Sequence, residues 1–260
     1  MNEELTRVVE PEIIKMGVVQ RVIAIFTSPT ELMKNIKAYP VILIPFLLAV
    51  VIGLIGIVPG MRMSELMTEE MSAISIERFG VDHFDMSGLA DEYGELDLQG
   101  FMDAVMFVSF IFSAFITPMI ISFFSALGLF ILSKIMRGPV TFGQMFSMYI
   151  HVYVIAAIGA LVISAMMAAT GRYLDVTSLA AVFSSNGDIS MVSHNILSGI
   201  GIFTIWPAIL TFIGVKVLND FCNVKAGIIT AIAFIVGLGI HVSIFMSTWW
   251  MLDLGLAMGL

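Results

Sequence analysis

From Pro40 to Met61 the chain runs 22 residues without a charged side chain, and four more such runs follow, at about 104–133, 144–169, 195–215 and 226–250. A bilayer core about 30 Å thick is crossed by roughly 20 residues of helix. In lipid, a helix satisfies its backbone N–H and C=O groups from within itself, which an isolated strand cannot do. Composition points the same way: 59% of residues are hydrophobic, 12% are charged, and the mean hydropathy is +1.01. That is too little polar surface to cover a core of this size in water. The predicted class is an all-α membrane protein, a bundle of five transmembrane helices with a cytosolic interfacial helix before the first.

The second run is the odd one. Val105–Ser133 is longer than a perpendicular crossing needs and carries Pro118 near its middle. A tilted or kinked helix accommodates both, since proline removes one backbone bond and strains the turn before it. Two half-helices in a re-entrant hairpin would need a polar turn at the break, and the sequence has none there.

Sidedness follows from the Lys and Arg residues near span ends. If the five spans alternate, Arg7, Lys15, Arg21, Lys34, Lys37, Lys134, Arg137, Lys216 and Lys225 fall on one side. The other side holds Arg62, Arg78 and Arg172. The N-terminus is therefore expected in the cytosol and the C-terminus outside a cell membrane crossed several times. On this reading residues 1–38 are a cytosolic N-terminal segment, 39–251 a transmembrane domain with an acidic external loop at 62–103, and 252–260 an external tail. Residues 1–38 contain no uninterrupted apolar run, so the first span is expected to serve as the targeting signal.

The stretch TSPTELMKNIKAYP, residues 27–40, carries a helix start: Ser28 as N-cap, Pro29 at N1, and Glu31 at N3 to complete an S-x-x-E capping box. Leu32, Met33 and Ile36 share one face. Tyr39, restricted by the proline after it, ends the helix about ten residues on. So short a helix needs a surface to lie on. One candidate is the cytosolic leaflet, with the apolar face in the acyl boundary and the lysines near anionic head groups. The other is the cytosolic end of the bundle. Residues 12–26, EIIKMGVVQRVIAIF, offer a second helix of the same kind with a wider apolar face.

The loop at 62–103 holds eleven of the twenty acids. Met63, Leu66, Met67, Met71 and Ile74 recur at helical spacing, so the first span is predicted to continue as an amphipathic helix. The acids read either as a vestibule that gathers cations or as a solvated loop. In 170–194, Leu179–Phe183 is apolar enough to dip into the interface, and Ser185-Asn186-Gly187-Asp188 reads as a turn.

Function in such a protein usually sits on intramembrane polar residues. The candidates are His151, about 10 Å from the cytosolic end of span three, and His241, about 13 Å from the outer end of span five, at 1.5 Å per residue. At different depths, they do not suit a shared metal. Neither has an acid in its span, so each is expected to be a neutral histidine bonded to a neighbouring helix. Met61, Met63, Met67 and Met71 with His83 and Met86 have the soft donors of a copper site, yet methionine also packs well in irregular apolar surfaces. A single cysteine, Cys222, allows no intramolecular disulfide and no thiolate cluster. No H-E-x-x-H, G-x-S-x-G, Walker A or G-x-G-x-x-G motif occurs, so no catalytic, cofactor or metal residue is assigned. The net charge of −8 argues against nucleic acid. Gly53, Gly56 and Gly60 form a smooth stripe for helix packing, Gly199, Gly237 and Gly239 could do the same, and Trp249-Trp250 suits an interfacial anchor.

Three stretches resemble the Ypt-interacting-protein (Yip) family, in its prokaryotic branch. IFTSPTELMKNIKAYPVILIP, residues 25–45, is similar to the family's hydrophobe-Ser-Pro stretch, short helix and Pro-containing first span. RGPVTFGQMFSMYIHVYVIAAIGAL, residues 137–161, is similar to its Gly-x-x-Ser/Thr-Phe connection, and ILSGIGIFTIWPAIL, residues 196–210, to its late span with a Trp. The resemblance implies five transmembrane helices, a cytosolic N-terminus and an outward C-terminus. Eukaryotic relatives partner small GTPases in vesicle traffic and shape membranes. The Asp-Leu-Tyr-Gly-Pro stretch of those relatives has no counterpart here, so GTPase binding is not carried over.

The expectation is a non-enzymatic integral membrane protein that acts as scaffold, adaptor or membrane organiser. Its partners would be membrane lipids and either another protein or further copies of itself. The alternative is a small permease or channel for a cation or apolar solute, with His151 or His241 in its path.

Overall fold

The computed structural model describes residues 14–79, 98–171, 177–184 and 191–258. Residues 1–13, the acidic stretch 80–97 with His83 and Met86, Arg172 and the turn at 185–188 lie outside the described residues. So do the side chains of Met67, Met71, Ile74, Trp249 and Trp250.

Helix α1 (Val18–Thr27) and helix α2 (Pro29–Ala38) are joined by one residue, Ser28. Its N–H donates to the Ala24 carbonyl and its carbonyl accepts from Leu32 N–H, both at 3.1 Å, so Ser28 closes one helix and opens the next. That double duty sets its backbone at φ −150°, ψ 62°, and its hydroxyl makes no capping bond. The predicted Ser28–Glu31 capping box therefore does not form, and Glu31 pairs with Lys34 at 2.8 Å instead. Pro29 does begin the helix, where its missing N–H leaves no bond unmade.

Helix α3 (Leu43–Ile55) and helix α4 (Ile57–Phe79) meet at Gly56 with a bend of 52° between Leu43–Ile55 and Ile57–Leu66. Pro59, four residues past Ile55, has no N–H to offer the Ile55 carbonyl, which loosens the turn where Gly56 sits. The predicted first span is thus a bent pair of helices, and helix continues beyond it to Phe79. Helix α5 (Leu98–Ile135) stays one helix through Pro118, as a single crossing rather than a re-entrant hairpin.

Helix α6 (Phe142–Thr170) is the central post, packed against α3, α4, α5 and later helices. A capping box starts it: Gln144 N–H donates to Thr141 Oγ1 at 3.3 Å, and Thr141 N–H donates to Gln144 Oε1 at 2.9 Å. Helix α7 (Leu179–Ser184) and helix α8 (Met191–Ser198) are short, and helices α9 (Ile202–Asn219) and α10 (Asn223–Met258) complete the bundle. The predicted fourth span, 195–215, is corrected here. The chain leaves helical geometry between Ser198 and Ile202, where Gly201 bridges Ser178, Leu179 N–H donates to the Ile200 carbonyl at 2.9 Å, and Ile202 N–H donates to the Thr177 carbonyl at 3.3 Å. A Cβ on Gly201 would lie 2.9 Å from the Thr177 carbonyl oxygen, so the close approach requires glycine. The membrane-length helix begins only at Ile202.

Among the described residues, four helices are long and apolar enough to cross a membrane, over Asp103–Ile135, Phe142–Thr170, Ile202–Asn219 and Asn223–Ile244, and the bent pair counted as one span makes five. Large side chains cover the outside: Phe124 on α5 is 65% exposed and Ile235 on α10 is 67% exposed. That is the surface of a protein solvated by acyl chains. The buried core gathers at the end bearing α1 and α2, hereafter the near end. There Leu32, Met33 and Ile36 interlock with Met145 and Met148 of α6 and Leu210, Val215 and Leu218 of α9.

That packing selects one of the two surfaces left open for α2. Its apolar face lies on the bundle, fully buried against α9 and α6, and not in an acyl boundary. Its lysines are engaged as well: Lys34 with Glu31, and Lys37 with Asp220 at the start of the α9–α10 turn. Helix α1 packs on α2 through Ala24 and Ile25, while Val19, Ile23 and Phe26 point the opposite way and are more than half exposed. Of the two amphipathic helices, it is α1 that turns an apolar stripe outward.

Candidate functional site

Two sites stand out, one at each end of the bundle. At the near end, Arg21 of α1 is almost fully buried. Its Nη2 donates to Asn35 Oδ1 at 2.7 Å and to the Tyr39 carbonyl at 2.9 Å, and its Nε donates to the Met16 carbonyl at 3.4 Å. Asn35 in turn donates from Nδ2 to the Ile14 carbonyl at 2.8 Å and accepts from Met16 N–H at 3.3 Å. No carboxylate pairs with Arg21 among the described residues, and its Nη1 is buried without a hydrogen-bond partner. Burial lowers the guanidinium's pKa from its usual value, yet arginine stays charged throughout the physiological range. A charge held by carbonyl and amide oxygens ties α1, α2 and the turn after α2 into one unit.

That unit is fastened to the bundle. Ser147 on α6 donates to the Val41 carbonyl and accepts from Val41 N–H, both at 2.9 Å, clamping the extended residues before α3. Gln144 Nε2 donates to the Lys37 carbonyl at 2.7 Å. Lys37 Nζ reaches both Asp220 oxygens at 2.6 Å and the Val217 carbonyl at 3.2 Å.

His151 lies one turn beyond Ser147 and is buried, with Nδ1 at 2.6 Å from the Ser147 carbonyl. A carbonyl only accepts, so Nδ1 carries the proton in that contact. The bond is to its own helix, which corrects the expected bond to a neighbouring one. The reason is local: a carbonyl four residues back lies beneath the ring, and no element has to be positioned for it.

At the far end, α6, α9 and α10 enclose a cavity of about 420 Å³. His241 of α10 stands at its outer limit, with Nε2 3.4 Å from Ser198 Oγ of α8. Ala156, Ala208 and Phe234 form the waist. Thr211 and Thr230 line its near-end floor, and the Thr230 hydroxyl is buried without a partner. His151 lies nine residues into α6 and His241 eighteen into α10, about 13 Å and 27 Å from the near-end starts of those helices. The fold does not bring the two histidines together. Among the described residues no group of three or more His, Cys, Asp or Glu is placed to hold a metal ion.

The glycines divide. A Cβ on Gly53 would lie 3.1 Å from Ala114 Cβ and one on Gly60 3.3 Å from the Phe110 ring, so both face α5, whereas Gly56 sits at the bend. Gly199 lies under Leu238 and His241, but Gly237, which lines the cavity between α6, α9 and α10, and Gly239 have no neighbour within 4 Å. Sequence reasoning missed the Thr141-x-x-Gln144 capping box, which was legible as a pattern. It also missed Gly159 under Phe203 and Gly214 under Met148, which no local pattern marks.

An all-helical bundle, aliphatic on its outside and closed at one end by a polar brace, is a polytopic membrane protein of the α-helical class. Within that class the chain belongs to the family of the Yip1 domain, which matches residues 23–244. No match to this chain was found among curated proteins or among solved structures.

Proposed function

We propose that this chain is a non-enzymatic scaffold of a cell membrane, with its N-terminus cytosolic and its C-terminus external, which organises the cytosolic face through lipid and protein partners. The observation that carries this reading is α1. One of its faces is locked by Arg21, Ala24 and Ile25, and the opposite face presents Val19, Ile23 and Phe26, exposed at 69%, 54% and 51%. An apolar stripe held rigidly at the end of a bundle, on the side that holds nine of the twelve Lys and Arg residues, suits shallow insertion between lipid head groups or the seating of a partner helix.

The test is purification from the native membrane in mild detergent, with quantification of the proteins and lipids that remain bound. A partner or enriched lipid retained near stoichiometrically by the wild type is expected to be lost from the Val19→Ser, Ile23→Ser, Phe26→Ser triple variant at unchanged melting temperature. Retention of neither would overturn the reading. The alternative, a small permease or channel for a cation or apolar solute, draws on one feature, the cavity that ends at His241. It requires solute flux in liposomes that falls in His241→Ala.

A further inference from the structure

The cavity between α6, α9 and α10 plays no part in the brace or in the presentation of α1. It is long: Thr230 and His241, both in its lining, stand eleven residues apart on α10, about 16 Å along the helix. Its walls over that length are mostly apolar, and the far end brings Ser198 and His241 within 3.4 Å. The surface beside it is aliphatic, with Ile205 and Ile209 of α9 and Ile235, Val236 and Ile240 of α10 all exposed. Acyl chains are therefore what adjoin it. Gly237 and His241 are exposed as well as lining the cavity, so it opens toward that lipid-facing side. His241 contacts Ser198, which lies just ahead of Ile202, where the membrane-length helix α9 begins, so the far boundary falls near His241 rather than nine residues past it. The polar end thus lies at the depth of a lipid's ester linkage and head group, and the apolar length runs inward from it.

We propose that this cavity binds one membrane lipid of the far leaflet, with an acyl chain along the Ala156–Ala208–Phe234 waist and the polar linkage at Ser198 and His241. The volume falls in the range of small-molecule sites, roughly 300–1,000 Å³. Gly237 keeps the waist open: a Cβ there meets nothing within 4 Å, so a larger side chain occupies the lipid's space without striking the backbone of a neighbour.

The experiment reconstitutes the full chain in vesicles of phosphatidylethanolamine and phosphatidylglycerol, extracts it, strips bulk lipid with detergent, and counts retained lipids by native mass spectrometry. The wild type is expected to keep one lipid per chain. Gly237→Leu should reduce that occupancy by about tenfold or more, and His241→Ala should reduce it less while weakening any head-group preference. If Gly237→Leu does not fold, Ala233→Leu on the same wall asks the same question. Three results would overturn the proposal: no lipid retained by the wild type, equal retention in the wild type and a correctly folded waist variant, or a non-lipid solute in the lipid's place. None of these substitutions touches α1, so failure here leaves the scaffold reading standing, and failure of that reading leaves this one.

Discussion

At the scale of single residues, two kinds of side chain give direct readouts. Cys222 is exposed in the turn between α9 and α10, where the Lys225 and Val224 backbone N–H groups and the Lys225 charge hold its thiol below the usual range. A lowered pKa keeps the thiolate populated as pH falls. The pH profile of maleimide labelling should therefore have its midpoint below the ordinary free-thiol value of about 8.5. In sealed vesicles of known orientation, a membrane-impermeant reagent should reach Cys222 from the cytosolic side alone. Labelling from the external side alone would reverse the proposed topology. Glycine contacts make the second readout. A Cβ on Gly159 would sit 2.5 Å from Phe203 Cγ, so Gly159→Leu should destabilise the bundle by about 1–3 kcal/mol. Gly128 has nothing within 4 Å, and Gly128→Ala should be neutral or stabilising by up to about 1 kcal/mol. Melting curves in one detergent compare the two.

At the scale of elements, the question is what holds the α1–α2 unit in place. The Lys37–Asp220 pair is short, but its side chains are 34% and 72% exposed, so water and salt screen it. Such pairs are worth up to about 1 kcal/mol. The Arg21 cluster is buried, and leaving the Tyr39 carbonyl without this donor and Asn35 Oδ1 with the longer Met16 N–H bond alone costs about 1–3 kcal/mol. Arg21→Met should therefore loosen α1 more than Lys37→Ala does, seen as faster limited proteolysis ahead of Pro29, and only the Lys37 effect should fade with added salt. Equal effects would mean that the apolar face of α2 alone carries the docking. The α1–α2 unit was only half legible in the sequence. The stripe of Leu32, Met33 and Ile36 could be read from spacing, whereas Arg21 and Asn35, fourteen residues apart on different helices, become partners only once Ser28 folds one helix back on the other.

At the scale of the whole molecule, the bent α3–α4 pair decides the topology by parity. Five crossings put the termini on opposite sides of the membrane, and four put them on the same side. Reporters fused to the N- and C-termini should give opposite sidedness. Matching signals would mean that the pair bent by 52° does not cross.

The uncharged runs and the skewed distribution of Lys and Arg determined, without any structure, that this chain is a helical membrane protein and about where its helices run. Their ends were less legible: the helix break at Gly199–Gly201 is hidden inside an uncharged run, because its cause is a bridge to Ser178, over twenty residues away. The candidate site was legible only as isolated residues. His241 could be named, but Ser198 beside it and the open waist at Gly237 arise from the packing of α8, α9 and α10. Tertiary structure alone decided that α2 buries its apolar face in protein while α1 turns one outward. The physical reason is that a side chain such as Leu32 meets an apolar environment either way, in acyl chains or among other side chains. In water hydrophobicity separates inside from outside; in a membrane that choice passes to shape and to the pairing of buried polar groups.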